Sequence, residues 1–162
     1  MLKCFFWGLL ITLVCAAVLS GVEPGFQGSW FSDDTGDTFI LSGGNWEVWY
    51  GGELVVKGTY TVRGNRIVMV TRYRHSSEIW GWLWWTRFEL EQRLYSRAEL
   101  ETIARSIILD EWDIAELNEN LEELFGLPLE ARYSVSGNTL TFEVYEPWED
   151  EEWGESYTFT RR

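Results

Sequence analysis

Two stretches of this 162-residue chain, "GTYTVRGNRIVMV" (58–70) and "ARYSVSGNTLTFEV" (131–144), share the pattern Tyr-x-Val-x-Gly-Asn-x-apolar. In each, alternating apolar residues run up to a Gly-Asn pair and away from it again. Gly and Asn both tolerate positive φ at low cost, so each stretch reads as a β-hairpin. A third turn, "LSGGNWEVW" (41–49), places Gly44-Asn45 between Ile40 and Trp46. Similar hairpins joined in series make an antiparallel meander. Turn signals at these short intervals favour a barrel or sandwich over βαβ units.

Alternation sets the faces. Leu54, Val56, Gly58, Tyr60 and Val62 share one side; Lys57, Thr59 and Thr61 share the other, with Val55. Leu140, Phe142 and Val144 oppose Thr139, Thr141 and Glu143. These are half-buried strands with one wet side. The same test on "SSEIWGWLWWTRFELE" (76–91) puts Trp80, Trp82, Trp84, Phe88 and Leu90 on one stripe. Each buried Trp contributes roughly 4–6 kcal/mol of gross hydrophobic gain, so the stripe is expected to face inward. Leu83 and Trp85 fall on the outer side and need a cover.

Two amphipathic helices between the hairpins supply one. "SRAELETIARSIIL" (96–109) opens with Ser96 and Glu99 spaced as a capping box. Leu100, Ile103, Ala104, Ile107 and Ile108 then form one stripe. "DIAELNENLEELFG" (113–126) repeats the device with Asp113 and Glu116, and stops at Gly126 and Pro128. These helices dock on the barrel wall or over one mouth; the pattern leaves both open.

Residues 1–21, "MLKCFFWGLLITLVCAAVLSG", read as a secretory signal peptide: Lys3, an apolar run from Phe5 to Val14, then small residues. A retained anchor helix and acylation at Cys15 are the alternatives, and only these would bring the chain to a membrane. Val14 departs from the small residue that a lipobox wants before its cysteine. Residues 22–162 form the domain, expected to be secreted or periplasmic. Both cysteines, Cys4 and Cys15, lie in the leader, so the domain carries no thiol chemistry. Losing Lys3 from the 13 basic residues leaves 12 against 26 acidic ones, a balance of −14. Such a field disfavours nucleic acid and anionic surfaces.

Candidate chemistry is sparse. His75 is the one histidine and is expected as a solvent-facing turn residue; Ser76, adjacent on a strand, points the other way. No soft metal site, phosphate loop or singled-out carboxylate pair is present, so no metal, no cofactor and no catalytic residue are expected. The acidic stretch "EVYEPWEDEEWGES" (143–156) lacks calcium-loop spacing and reads as a solvated charge run. Its Trp148 and Trp153 either pack across their own hairpin or form a patch for a basic protein partner. The aromatic interior either fills the barrel or lines a concave apolar pocket.

"GFQGSWFS" (25–32), with Gly28-Ser29-Trp30 opening the first strand, the two Gly-Asn hairpins and the closing "SYTFTRR" (156–162) together resemble small exported bacterial lipocalin-like domains of the calycin group. The resemblance implies a mainly-β, up-and-down antiparallel barrel, here with a two-helix insertion over about 96–125, and a central cavity for a small hydrophobic molecule. It also implies that Trp30 closes one end, stacked on Arg161 or Arg162. The expected ligand-binding residues are Trp46, Tyr60, Trp80, Trp82, Trp84, Phe88 and Phe142, in a binding protein rather than an enzyme. An interaction or inhibitor module with a solid core, acting through its acidic surface, is the alternative.

Overall fold

The computed structural model describes residues 25–79, 90–106, 111–126, 128–145 and 153–162. The N-terminal segment 1–24 with both cysteines, Trp80, Trp82, Trp84, Trp85, Phe88 and Trp148 lie outside the described residues.

Nine strands form among the described residues: β1 (Gly28–Phe31), β2 (Thr38–Ser42), β3 (Asn45–Tyr50), β4 (Glu53–Arg63), β5 (Arg66–His75), β6 (Leu94–Ser96), β7 (Leu129–Ser136), β8 (Thr139–Tyr145) and β9 (Trp153–Arg161). Eight of them close into an up-and-down antiparallel barrel in the order β1-β2-β3-β4-β5-β7-β8-β9, with β9 returning to β1. Among the described residues, strand β6 pairs only with β5, outside the ring. The fold is mainly β, a closed barrel carrying short helices, compatible with a lipocalin-like architecture.

Both Gly-Asn hairpins form as read: Arg63 pairs with Arg66 and Ser136 with Thr139, leaving Gly64-Asn65 and Gly137-Asn138 as two-residue turns. The third turn sits one residue earlier than expected. Ser42 pairs with Asn45, so Gly43-Gly44 make the turn, both at positive φ (56° and 82°). Two consecutive left-handed residues suit Gly-Gly better than Gly-Asn, and that selects the register. All three turns lie at one end of the barrel. There a turn carbonyl accepts a backbone N–H from another strand: Gly44 from Tyr60, Asn65 from Tyr133, and Asn138 from Arg161, each at 2.8 Å.

That end is plugged. Phe26 and Trp30 are fully buried, and the Phe26 ring lies 4.3 Å from Tyr133 and 5.7 Å from Tyr60. Trp30 donates its indole N–H to Phe26 O at 3.0 Å. Of the two terminal arginines, Arg161 takes the stacking position, its guanidinium 4.4 Å from the Trp30 ring. It also donates to Gly25 O and, at 3.1 Å, to Gln27 O, tying the N-terminal segment to β9. Arg162 stacks on Phe31 instead.

The helical part is a second core. Helices α1 (Ser76–Ile79), α2 (Arg97–Arg105) and α3 (Glu111–Phe125) bury Ile79, Leu90, Tyr95, Leu100, Ala104, Leu117, Leu121 and Leu124 together. The Ser96/Glu99 capping box is present in full. Helix α3 runs Glu111–Phe125, so Asp113 lies inside it and not at the N-cap position expected. The strand expected over 76–91 is also corrected at both its described ends. Ser76–Ile79 is a helical turn, and Ile79 and Leu90 join the helical cluster, not the barrel core. Apolar contact with α2 and α3 outweighs alternation there.

Candidate functional site

The barrel is filled at the plugged end and hollow at the other. A cavity of about 720 Å³ opens there, walled by Phe39, Trp46, Met69, Phe142 and Phe159, with Val48, Thr71 and Val144 above them. Its rim is the β1–β2 loop (Ser32, Asp34, Thr35, Asp37) and the C-terminus of α3 (Glu123–Gly126). The C-terminal end of α3 therefore sits by the mouth.

Exposure shows that the space is reached by water. Tyr157 pairs with Phe142, and cross-strand partners share a face, so its side chain points inward. It is nonetheless 47% exposed. Val48, Thr71 and Val144, also on the inner face, are only half-buried. Inner-face residues of a packed small barrel would be sealed.

The floor is an aromatic cluster. Phe39 lies 5.7 Å from Phe142 and from Phe159, and 6.1 Å from Trp46. The Trp46 ring lies against Gly58 of the neighbouring strand, where a Cβ would meet Trp46 Nε1 at 2.6 Å and Val70 O at 2.0 Å. Its indole N–H donates to Thr59 O at 3.2 Å, so the polar edge is satisfied and the ring face serves the cavity.

Among the expected binding residues, Trp46 and Phe142 come together on this floor. Tyr60 lies below it, buried in the plug beside Phe26, its hydroxyl without a hydrogen-bond partner among the described residues. Trp80, Trp82, Trp84 and Phe88 lie outside the described residues. Phe39, Met69 and Phe159 were legible as inner-face strand positions but carry no local mark of a site. Arg74 had no such signal. Strict alternation from Ile67, Met69 and Thr71 points Tyr73 inward and Arg74 out. A bulge intervenes: Gly58 pairs with Thr71, but Lys57 pairs with Tyr73, leaving Arg72 unmatched. The extra residue inverts the faces. Tyr73 goes outside under Lys57, 4.6 Å from its ring, and Arg74 pairs with buried Val56 and reaches the cavity. Its Nε–H donates to Leu124 O at the end of α3. Burial pushes the guanidinium below its ordinary pKa, and Glu78 opposes that shift.

His75 is not the solvent-facing residue expected. Strand β6 pairs across it through Leu94, and it is 4% exposed. Nδ1 accepts the Ser77 backbone N–H at 3.3 Å and lies 2.9 Å from Ser77 Oγ, while Nε2 faces Glu53 at 3.3 Å. These contacts hold the ring as a cap on the α1 turn. Ser76 turns away, its Oγ towards Gln92 at 3.5 Å. No family model, curated protein or solved structure matches this chain.

Proposed function

We propose that this chain is an exported lipocalin-like binding protein that carries a small hydrophobic or aromatic molecule in the open half of its barrel, and that it is not an enzyme. The observation that supports this is the hollow itself: about 720 Å³ with an aromatic floor, at the mouth of a barrel plugged at its other end. Volumes of that size suit a drug-sized ligand in an apolar pocket with a few polar groups at its edge.

The test uses N-phenyl-1-naphthylamine, a neutral probe that fluoresces when taken from water, and the variant Val48→Trp. Val48 is on the inner wall, so an indole there fills the cavity from a position that is already half-exposed. Wild-type protein binds the probe with one site, and Val48→Trp loses binding at least tenfold while keeping its far-UV circular dichroism and its cooperative thermal melt. A folded wild type that does not bind, or a folded variant that binds equally well, overturns the reading. Attention then moves to basic protein partners of the acidic 143–156 stretch.

A further inference from the structure

The His75 imidazole is buried where the end of β5 meets β6 and α1, yet the groups on its two nitrogens, Ser77 and Glu53, are both exposed. Its tautomer follows from the turn it caps. A backbone N–H can only donate, so Nδ1, which accepts from Ser77 N at 3.3 Å, carries a lone pair. The proton of the neutral ring therefore sits on Nε2, 3.3 Å from the Glu53 carboxylate. Ser77 Oγ lies 2.9 Å from Nδ1 and donates to the same lone pair. Hydroxyl, imidazole and carboxylate thus stand in series. They have the roles of a nucleophile, its base, and a group that orients the base and stabilises its charged form. Capping the turn takes only the backbone N–H contact, and neither the hydroxyl nor the carboxylate is needed for it. The sequence has one histidine, so no other serine can share this arrangement.

We infer that Ser77 is an activated nucleophile that accepts one acyl group per chain from an activated ester. Ser77 Oγ attacks the ester carbonyl carbon and forms a new C–O bond. The bond from that carbon to the leaving oxygen breaks, and the oxygen departs with the electron pair. The hydroxyl proton moves to Nδ1, while Glu53 holds the resulting imidazolium through Nε2–H; the proton then passes to the departed oxygen or to water. His75 touches the reacting oxygen, whereas Glu53 acts through the ring and is a positioning residue. Exposure leaves Ser77 open to a reagent that the buried ring never meets. The product is an ester on this chain, formed once and without turnover, so it neither needs nor opposes the carrier reading.

The experiment treats the full chain with p-nitrophenyl acetate and follows acetylation residue by residue by peptide mass spectrometry. Ser134, an exposed serine of β7, is the internal control. Ser77 acetylates about a hundredfold faster or more, the range of general-base assistance. His75→Asn retains an acceptor for the Ser77 N–H, because an Asn side chain caps the residue two positions on, but it takes no proton. Acetylation of Ser77 then falls about a hundredfold while the thermal melt holds. Glu53→Gln keeps the contact without the charge and slows Ser77 about tenfold; Glu53→Asp restores the charge and recovers most of that loss. Acetylation of Ser77 no faster than that of Ser134 overturns the inference. A folded His75→Asn chain that reacts as fast as wild type also overturns it, leaving the ring a cap and nothing more. Equal rates in wild type and Glu53→Gln overturn the relay through the ring. Should His75→Asn fail to fold, the Ser77-to-Ser134 ratio and the two exposed Glu53 variants still decide.

Discussion

At the scale of single residues, the site depends on a glycine and an unmatched arginine. Gly58 lies on β4 opposite the bulge in β5, where both the Val70 carbonyl and the Trp46 indole occupy the space a side chain would need. Gly58→Ala must therefore move Trp46 off the cavity floor or open the β4–β5 pairing. We expect a loss of about 2 kcal/mol in urea unfolding, together with weaker probe binding, since overpacking a tight site costs about 1–3 kcal/mol. Unchanged stability would mean that the two strands separate without cost. The Arg72 bulge was illegible from sequence, since β5 passes from a continuous apolar run at 67–70 straight into "TRYRH". Nothing local in "TRYRH" marks where the period slips; the partner strand decides it. Trp30 and Arg161 were the opposite case. There the family resemblance implied a stack of Trp30 on Arg161 or Arg162, and the β1–β9 register, which pairs Trp30 with Arg161, made the contact with Arg161.

Among the elements, α2 shows the most local determination. Ser96 and Glu99 satisfy each other's backbone N–H groups, with Arg93 2.9 Å from the Glu99 carboxylate. The Ser96 backbone and hydroxyl donors, aided by Arg93, hold Glu99 well down, from an ordinary 4.5 to about 2. A carboxylate depressed on folding stabilises the fold fully above its unfolded value. That contribution is lost as pH falls from about 4.5 through about 2. Glu99→Gln should therefore show a flatter acid limb of stability over that window, with little change in its slope at neutral pH. Thermal melts across the window check it, and an unaltered limb would show that the box contributes nothing to the charge balance. Helix α3 was less legible at its start, because Asp113 resembles a cap but lies within helix that has already begun. The 76–91 stretch shows the limit of periodicity. Alternation was read there from Ile79 onward as a strand, yet Ser76–Ile79 fold as a helical turn with Ile79 buried against the other helices.

Taken whole, the described residues form two hydrophobic cores, one within the barrel and one among the helices. They meet where Arg74 of β5 holds Leu124 of α3, and where Phe125 borders the cavity. Leu121 is fully buried in the helical core and belongs to no barrel contact cluster. Leu121→Ala should cost about 3 kcal/mol locally. Hydrogen exchange would then quicken across α2 and α3 while β1, β8 and β9 keep their protection. Uniform loss of protection would instead make the two cores one cooperative unit. Closure of the ring explains how the plug and the mouth come to oppose each other. The three tight turns and the Trp30–Arg161 contact collect at one end. The β1–β2 loop and the long β5–β7 connection that carries the helices reach the other.

By itself the sequence determined the strands, the hairpins, the capped helix and the inward set of Leu140, Phe142 and Val144, because alternation, turn chemistry and capping act over a few residues. Only the tertiary structure decided that the barrel closes and that its mouth end is hollow. It also decided that His75 is buried and that Arg74 faces the cavity. Those depend on which strand lies alongside which and on one unmatched residue between β4 and β5. A pairing across the sheet leaves no trace in the local pattern of either strand.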